Sequence, residues 1–158
     1  MAKLLVVDDE KNLRLVVQKE LSRQGHEVET APDGIAAWEM IESHDFDVLL
    51  CDINMPRLDG IGLLRRVKDK SSNPPEVIML TGQGTVETAI EAMKLGAYDY
   101  LTKPCRIAEL AALVTAAAEK YQLRVDNQRL RAQIERANGA LPDIIAESPQ
   151  MKEVLRLV

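Results

Sequence analysis

The 158-residue chain is 46% apolar and 28% charged, a soluble globular profile with room for one core of ordinary size and an appendage. Its formal net charge of −5, without a large basic block, argues against a general electrostatic nucleic-acid binder, and no apolar run approaches the length of a membrane span. Cys51 and Cys105 lack CxxC or Cys/His ligand spacing and read as free thiols of a reducing cytoplasm, the expected compartment of a chain that runs from Met1-Ala2-Lys3 straight into an apolar strand.

In chain order, apolar runs at residues 4–7, 27–31, 48–51, 77–80 and 98–101 read as strands. Amphipathic patterns at 11–24, 34–44, 60–70 and 85–95 read as helices between them. Strict alternation favours parallel βαβ units, a doubly wound α/β sheet with helices on both faces. Leu4-Leu5-Val6-Val7 and Val48-Leu49-Leu50 are apolar on both faces, as buried parallel strands require. Gln24-Gly25, Pro32-Asp33-Gly34, Asp59-Gly60, Asn73-Pro74-Pro75 and Gly96 break the elements apart. A fifth helix starts near Ile107 and its pattern runs to about residue 137, where Asn138-Gly139 is expected to end it.

Open α/β sheets gather functional groups at the carboxyl ends of their strands. Here strand one ends in Asp8-Asp9, strand three in Asp52, strand four in Thr81-Gly82 and strand five in Thr102-Lys103-Pro104. Three carboxylates, a hydroxyl and an ammonium are thus predicted to share one crevice. Close carboxylates repel one another without a cation, so a divalent metal is implied, and Mg²⁺ suits oxygen ligands while keeping waters that a phosphate can replace. A carboxylate can attack phosphorus, and a metal and a lysine can neutralise the transferring group. This assigns Asp52 as nucleophile, Asp8 and Asp9 as metal ligands, Lys103 as cationic clamp and Thr81 as phosphoryl sensor. Taken singly, each has a plainer reading: Asp8-Asp9 as a helix cap (Asp9 for the first helix), Asp59-Gly60 as turn and helix start, Lys103 as a surface lysine, Thr81 as a satisfied strand end. A scaffold has no need for all of them at one edge. Gly82-Gln83-Gly84 lacks the rest of a dinucleotide fingerprint and reads as a flexible loop. His26 and His44 have no ligand spacing and read as surface or helix-end residues.

At these residues the sequence resembles the response-regulator receiver family. The matching pieces are Val6-Val7-Asp8-Asp9-Glu10, Cys51-Asp52-Ile53-Asn54-Met55-Pro56-Arg57-Leu58-Asp59-Gly60, Leu80-Thr81-Gly82 and Tyr98-Asp99-Tyr100-Leu101-Thr102-Lys103-Pro104, and the resemblance covers residues 3 to about 120. It implies a flavodoxin-like five-stranded sheet in the order 2-1-3-4-5, a backbone carbonyl of Asn54 as a further Mg²⁺ ligand, a cis Lys103–Pro104 peptide and a sensor histidine kinase as phosphodonor. It also makes Tyr100 the switch aromatic, turning inward when Thr81 moves toward the phosphoryl group; an ordinary half-buried tyrosine is the plainer reading. The face of helix four, strand five and helix five is then the expected output and dimerisation surface.

Along the fifth helix Leu113, Ala116, Lys120, Leu123, Asn127, Leu130, Ile134 and Ala137 recur at spacings of three and four. This is a coiled-coil seam, with Asn127 at an a-type position that fixes register in parallel dimers. Glu119 facing Arg124 and Asp126 facing Arg131 of a second copy would favour the same orientation. A single solvated helix, or one packed on another domain, are the alternatives. Ser148-Pro149 reads as an N-cap with proline at the first helical position, followed by the stripe Met151, Val154, Leu155 and Val158. The run Ile144-Ile145-Ala146-Glu147-Ser148-Pro149-Gln150-Met151 resembles the entry to the AAA+ domain of NtrC-type activators of sigma-54 polymerase, which have glycine where Ala146 stands. The expected organisation is a receiver over 1–120, a dimerisation linker over 107–138 and the start of an AAA+ domain over 139–158. No GxxxxGK[ST] is present, so the chain is expected not to be the ATPase itself, and it has no DNA-binding helix-turn-helix. The alternatives are a receiver controlling an enzymatic output such as a cyclic-dinucleotide synthase, a stand-alone phosphate-shuttling module and a purely structural domain.

Overall fold

The computed structural model describes residues 2–70, 73–82 and 85–140. The element order is β1 (Lys3–Val7), α1 (Lys11–Arg23), β2 (Glu27–Ala31), α2 (Gly34–Ser43), β3 (Val48–Asp52), α3 (Gly60–Lys70), β4 (Glu76–Thr81), α4 (Val86–Lys94), β5 (Asp99–Thr102) and α5 (Ile107–Ala140). The five strands form one parallel sheet in the order β2-β1-β3-β4-β5. It is the flavodoxin-like order that the resemblance implied. The elements begin and end within two residues of the predicted ones, except that α5 continues through Asn138-Gly139 to Ala140. One glycine costs a helix interior only about 1 kcal/mol and need not end it. The expected helix from Ser148-Pro149 and the rest of the predicted AAA+ entry after residue 140 lie outside the described residues, as do Gln83 and Gly84 of the loop before α4.

Burial follows strand position. Every residue of β3 and β4 is buried, whereas the edge strands β2 and β5 are mostly half-exposed. Side chains alternate across the sheet and feed two cores. Leu5, Val7, Leu49, Cys51, Val77 and Met79 pack with Ala37 of α2, Leu63, Leu64 and Val67 of α3 and Ala92 of α4. Leu4, Val6, Val48, Leu50 and Ile78 pack with Val17 and Leu21 of α1 and Leu110, Ala111, Val114 and Ala117 of α5.

The connections have local causes. Asp33 caps α2, its carboxylate accepting from Ala36 N–H at 2.8 Å, and Asp59 accepts from Gly62 N–H at 2.8 Å at the head of α3. Asp9 does not cap α1: the cap position is Glu10, whose side chain makes no capping bond, while its N–H donates to Asp8 Oδ1 at 2.9 Å. After α1 and α4 the chain turns through Gly25 and Gly96 at φ of 95° and 99°, left-handed conformations that favour glycine. His26 Nδ1 accepts from Ala2 N–H at 3.3 Å, and His44 ends α2.

Two compact units divide the chain, Met1–Gln122 and Leu123–Val158, with α5 contributing to each. In the first unit Leu113, expected on the coiled-coil seam, instead packs partly buried against the second core, and Lys120 of the same predicted stripe lies 3.8 Å from the buried Glu76 carboxylate. In the second unit Leu123, Asn127, Leu130 and Ile134 are exposed.

Gly60 N–H donates to Ile53 carbonyl at 2.9 Å, which seats the first turn of α3 on the end of β3. A Cβ at residue 60 would collide with the Asp52 carbonyl oxygen and lie 2.8 Å from Ile53 Cα. Backbone cannot yield as a flexible side chain can, so Gly60→Ala should lower stability by about 1–3 kcal/mol. A fall in the urea midpoint at unchanged m-value is the expected reading.

Candidate acidic site at the strand ends

Sheet register assembles the site. Val7 of β1 pairs with Cys51 of β3, so Asp8 and Asp52, one residue further on, emerge side by side. Asp52 in turn pairs with Leu80, and Thr81 with Thr102, which places Thr81 and Lys103 next along the same edge. β1 and β3 are the neighbours at which the strand order reverses, the position where open α/β sheets leave a crevice.

Within it, Asp8, Asp9 and Asp52 each offer a carboxylate oxygen, and all three lie within 4.8 Å of one another. Asp8 and Asp52 are buried and Asp9 is exposed. Lys103 Nζ donates to Asp8 Oδ2 at 2.7 Å and to Asp52 Oδ2 at 3.3 Å, bridging the two buried acids. Asn54 N–H donates to Asp52 Oδ1 at 3.2 Å. Thr81 is fully buried, its hydroxyl 3.4 Å from the Asn54 side-chain nitrogen, and its carbonyl accepts from Lys103 N–H at 2.7 Å. The Lys103–Pro104 peptide is cis. Tyr100 is half-buried and its hydroxyl lies 3.2 Å from Thr88 Oγ1 of α4.

Electrostatics express the crowding. Burial pushes the Asp52 carboxyl up; Lys103 pulls it down, Asp8 pushes it further up, and the net direction is up. Burial alone would lower Lys103, but its hydrogen bond to Asp8 and the charges of Asp8 and Asp52 outweigh that and hold the ammonium above its ordinary value. The Cys51 thiol is pushed up strongly by burial and then by Asp52, Asp8 and Asp59, so it is a packing residue rather than a nucleophile. Three carboxylates face one ammonium. A donor set of hard oxygens with residual negative charge fits Mg²⁺, with Asp8, Asp9 and Asp52 as the residues able to hold it.

The structure brings Asp8, Asp9, Asp52, Thr81 and Lys103 together at this edge, and Asn54 lies beside them. Two contributors were not anticipated. Arg14, one turn into α1, donates from Nη1 to the Asp8 carbonyl at 2.6 Å, and Gly60 lets α3 press on the Asp52 backbone. The Arg14 contact is to a backbone carbonyl six residues away, which no motif in the sequence marks.

Residues 4–115 match the family model for the response regulator receiver domain. The chain belongs to the response regulator receiver family. It is similar to the DNA-binding transcriptional regulator NtrC of Escherichia coli K12, 37% identical over 97% of this chain and 31% of that protein. The regulatory protein AtoC of the same organism is 32% identical over 98% and 33%. Among solved structures, the receiver domain of Francisella response regulator 1452 superposes with a TM-score of 0.71 at 35% identity, covering 76% of this chain and 98% of that one. NtrX from Brucella abortus, solved with ATP, gives 0.75 at 36% identity over 82% of this chain and 29% of that one. This receiver therefore spans about a third of the length of NtrC and AtoC. No helix among its described residues is long and apolar enough to cross a membrane.

Because the Asp52 pKa is raised on folding, the folded chain binds the Asp52 proton more tightly than the unfolded one, and ionising Asp52 costs stability. That cost is absent below the ordinary carboxyl range and fully present once pH exceeds the raised value. Asp52→Asn should therefore raise the unfolding midpoint at neutral pH in EDTA, with the advantage shrinking on acidification. Added Mg²⁺ should stabilise the wild type more than the variant. Thermal melts with EDTA or Mg²⁺ at two pH values check both directions.

Proposed function

We propose that this receiver takes a phosphoryl group on Asp52 from a sensor histidine kinase and thereby controls, through a receiver-and-linker dimer, an ATPase output of the NtrC type. The observation that carries the reading is the Lys103 ammonium bridging Asp8 and Asp52 beside a third carboxylate. In the transfer, an Asp52 oxygen attacks phosphorus while the bond to the kinase imidazole nitrogen breaks, and the imidazole departs with its electron pair. Lys103 is placed to leave its ion pairs and meet the equatorial phosphoryl oxygens. Asp8, Asp9, Asp52 and the Asn54 carbonyl would hold Mg²⁺, which supplies charge neutralisation on those same oxygens when bound. The Thr81 hydroxyl then reaches for the phosphoryl group, and Tyr100 follows it inward.

Phosphorylation adds nearly two negative charges and strong acceptor oxygens at this point. The outward face of α4, with Val86, Ile90 and Met93 exposed at helical spacing, supports the α4–β5–α5 surface as the interface that responds. Exposed Leu123, Leu130 and Ile134 with Asn127 support a parallel two-stranded linker. Similarity to NtrC and AtoC favours control of an AAA+ and DNA-binding output over a cyclic-dinucleotide synthase. The chain itself is then a regulatory phosphoacceptor of the cytoplasm, with no membrane or nucleic-acid contact of its own.

With Mg²⁺ and a small-molecule phosphodonor, wild type should gain one phosphoryl group by intact-mass measurement, labile to hydroxylamine. Asp52→Asn should gain none, and EDTA should suppress the wild-type reaction. Uptake by the Asn variant at the same rate would remove Asp52 from its role.

For the linker, Leu130→Asp with Ile134→Asp should shift the mass by light scattering toward monomer without changing phosphoryl uptake. An unchanged mass would place the dimer contact elsewhere.

A further inference from the structure

The hydroxyl of Thr88 is the shared point of two structures that the switch reading treats separately. Thr85 caps α4, accepting from Thr88 N–H at 3.1 Å, and Thr88 Oγ1 returns the contact by accepting from Thr85 N–H at 3.1 Å. This is a capping box with threonine where Glu or Gln usually stands. The same Thr88 oxygen lies 2.9 Å from the Thr85 carbonyl and 3.2 Å from the Tyr100 hydroxyl on β5.

A hydroxyl has one proton and two lone pairs. The shortest of these distances assigns the Thr88 proton to the Thr85 carbonyl. One lone pair then takes Thr85 N–H, and the second takes the Tyr100 O–H as donor. The Thr85 hydroxyl, also 3.2 Å from Thr88 Oγ1, shares that second lone pair with Tyr100, and every contact of the Thr88 hydroxyl belongs either to the first turn of α4 or to Tyr100.

We infer that Thr88 is a positioning residue that ties the Tyr100 rotamer to the N-terminal turn of α4, so that neither moves without altering the other. The inference rests on the proposed phosphoryl switch for its use, but the coupling itself is a property of the resting fold. α4 buries a single residue, Ala92, so its first turn depends on the cap more than a well-anchored helix would. A Tyr100 that turns inward withdraws its donor from the oxygen that closes the capping box. A shift of α4 likewise removes the acceptor that holds the Tyr100 hydroxyl in place. Threonine is suited to this place because its short side chain closes the box and still presents a lone pair to β5, whereas a longer capping carboxylate would carry charge toward the ring.

Amide hydrogen exchange in the first turn of α4 tests the tie. Tyr100→Phe should speed exchange there by about two- to tenfold, the range for one neutral hydrogen bond. Thr88→Val should speed it more, having lost the box as well, and the double variant should be no faster than Thr88→Val alone. Thr88→Ser, which keeps the hydroxyl, should restore wild-type exchange, a rescue that a loss of packing volume would not give. Additive effects in the double variant, or no effect of Tyr100→Phe, overturn the coupling. Beryllofluoride with Mg²⁺ separates the two levels. If wild type responds and Asp52→Asn does not, yet the pair is additive, the coupling alone falls and the phosphoryl switch stands. If the pair is non-additive but beryllofluoride leaves α4 exchange unchanged in wild type, the switch falls, and with it the use inferred for Thr88.

Discussion

Two buried carboxylates, Asp8 and Asp52, stand side by side because β1 and β3 are paired in register up to Val7 and Cys51. Like charges at that separation in a partly buried crevice oppose folding, and the Lys103 ammonium between them is what the crevice provides against that repulsion. One ammonium faces three carboxylates. Burial, with the Asp8 charge behind it, holds the Asp52 carboxyl up against the pull of Lys103, while Asp8 and Asp52 together hold Lys103 protonated. The local conflict is stabilised from outside. β3 and β4 are buried along their whole length, and two cores clamp the sheet from both faces. A site that is unfavourable alone can therefore persist on a scaffold that is favourable everywhere around it. The same imbalance is a source of affinity for whatever brings positive charge.

The helices around the site are not held equally. α3 is fixed to the end of β3 by the close approach at Gly60 and by Leu63, Leu64 and Val67 in the core. α4, which follows the strand that ends at Thr81, contributes Ala92 and leaves Val86, Ile90 and Met93 outside. Low apolar burial marks the elements that open or shift at small free-energy cost. A charge change at Asp52 thus meets a rigid neighbour on one side and a loosely packed one on the other. Directionality in such a response needs no wire through the molecule, only this difference in anchoring.

Strand and helix positions were legible because alternating apolar runs and Gly/Pro breakers report local periodicity, which the fold preserves. The edge residues Asp8, Asp9, Asp52, Thr81 and Lys103 were legible because parallel strands deliver their C-terminal residues to one side, whatever the details of packing. Contacts that depend on tertiary approach were not. Gly60 looked like turn chemistry, although its absent side chain is what admits the Asp52 backbone. Asp9 looked like a cap, although the chain reaches its helical cap one residue later, at Glu10. The hydrogen bond between the Thr88 and Tyr100 hydroxyls joins residues twelve apart in sequence on different elements, and no spacing rule announces it.

Leu113 is the most instructive of these. A heptad stripe and the core-facing stripe of a surface helix differ by only about 20° per heptad, so over one or two heptads the pattern serves either use. Burial separates them: Leu110, Val114 and Ala117, with Leu113 beside them, face the receiver's own core. What is left for a partner helix starts at Leu123 and includes Asn127, Leu130 and Ile134. That seam is short and carries a polar residue, which favours register over strength. The proposed dimer would therefore need the receiver face as well as this linker. Under the proposed function, a seam that sets register without much strength would let a charge change at Asp52 shift the dimer where a strong coiled coil would resist it.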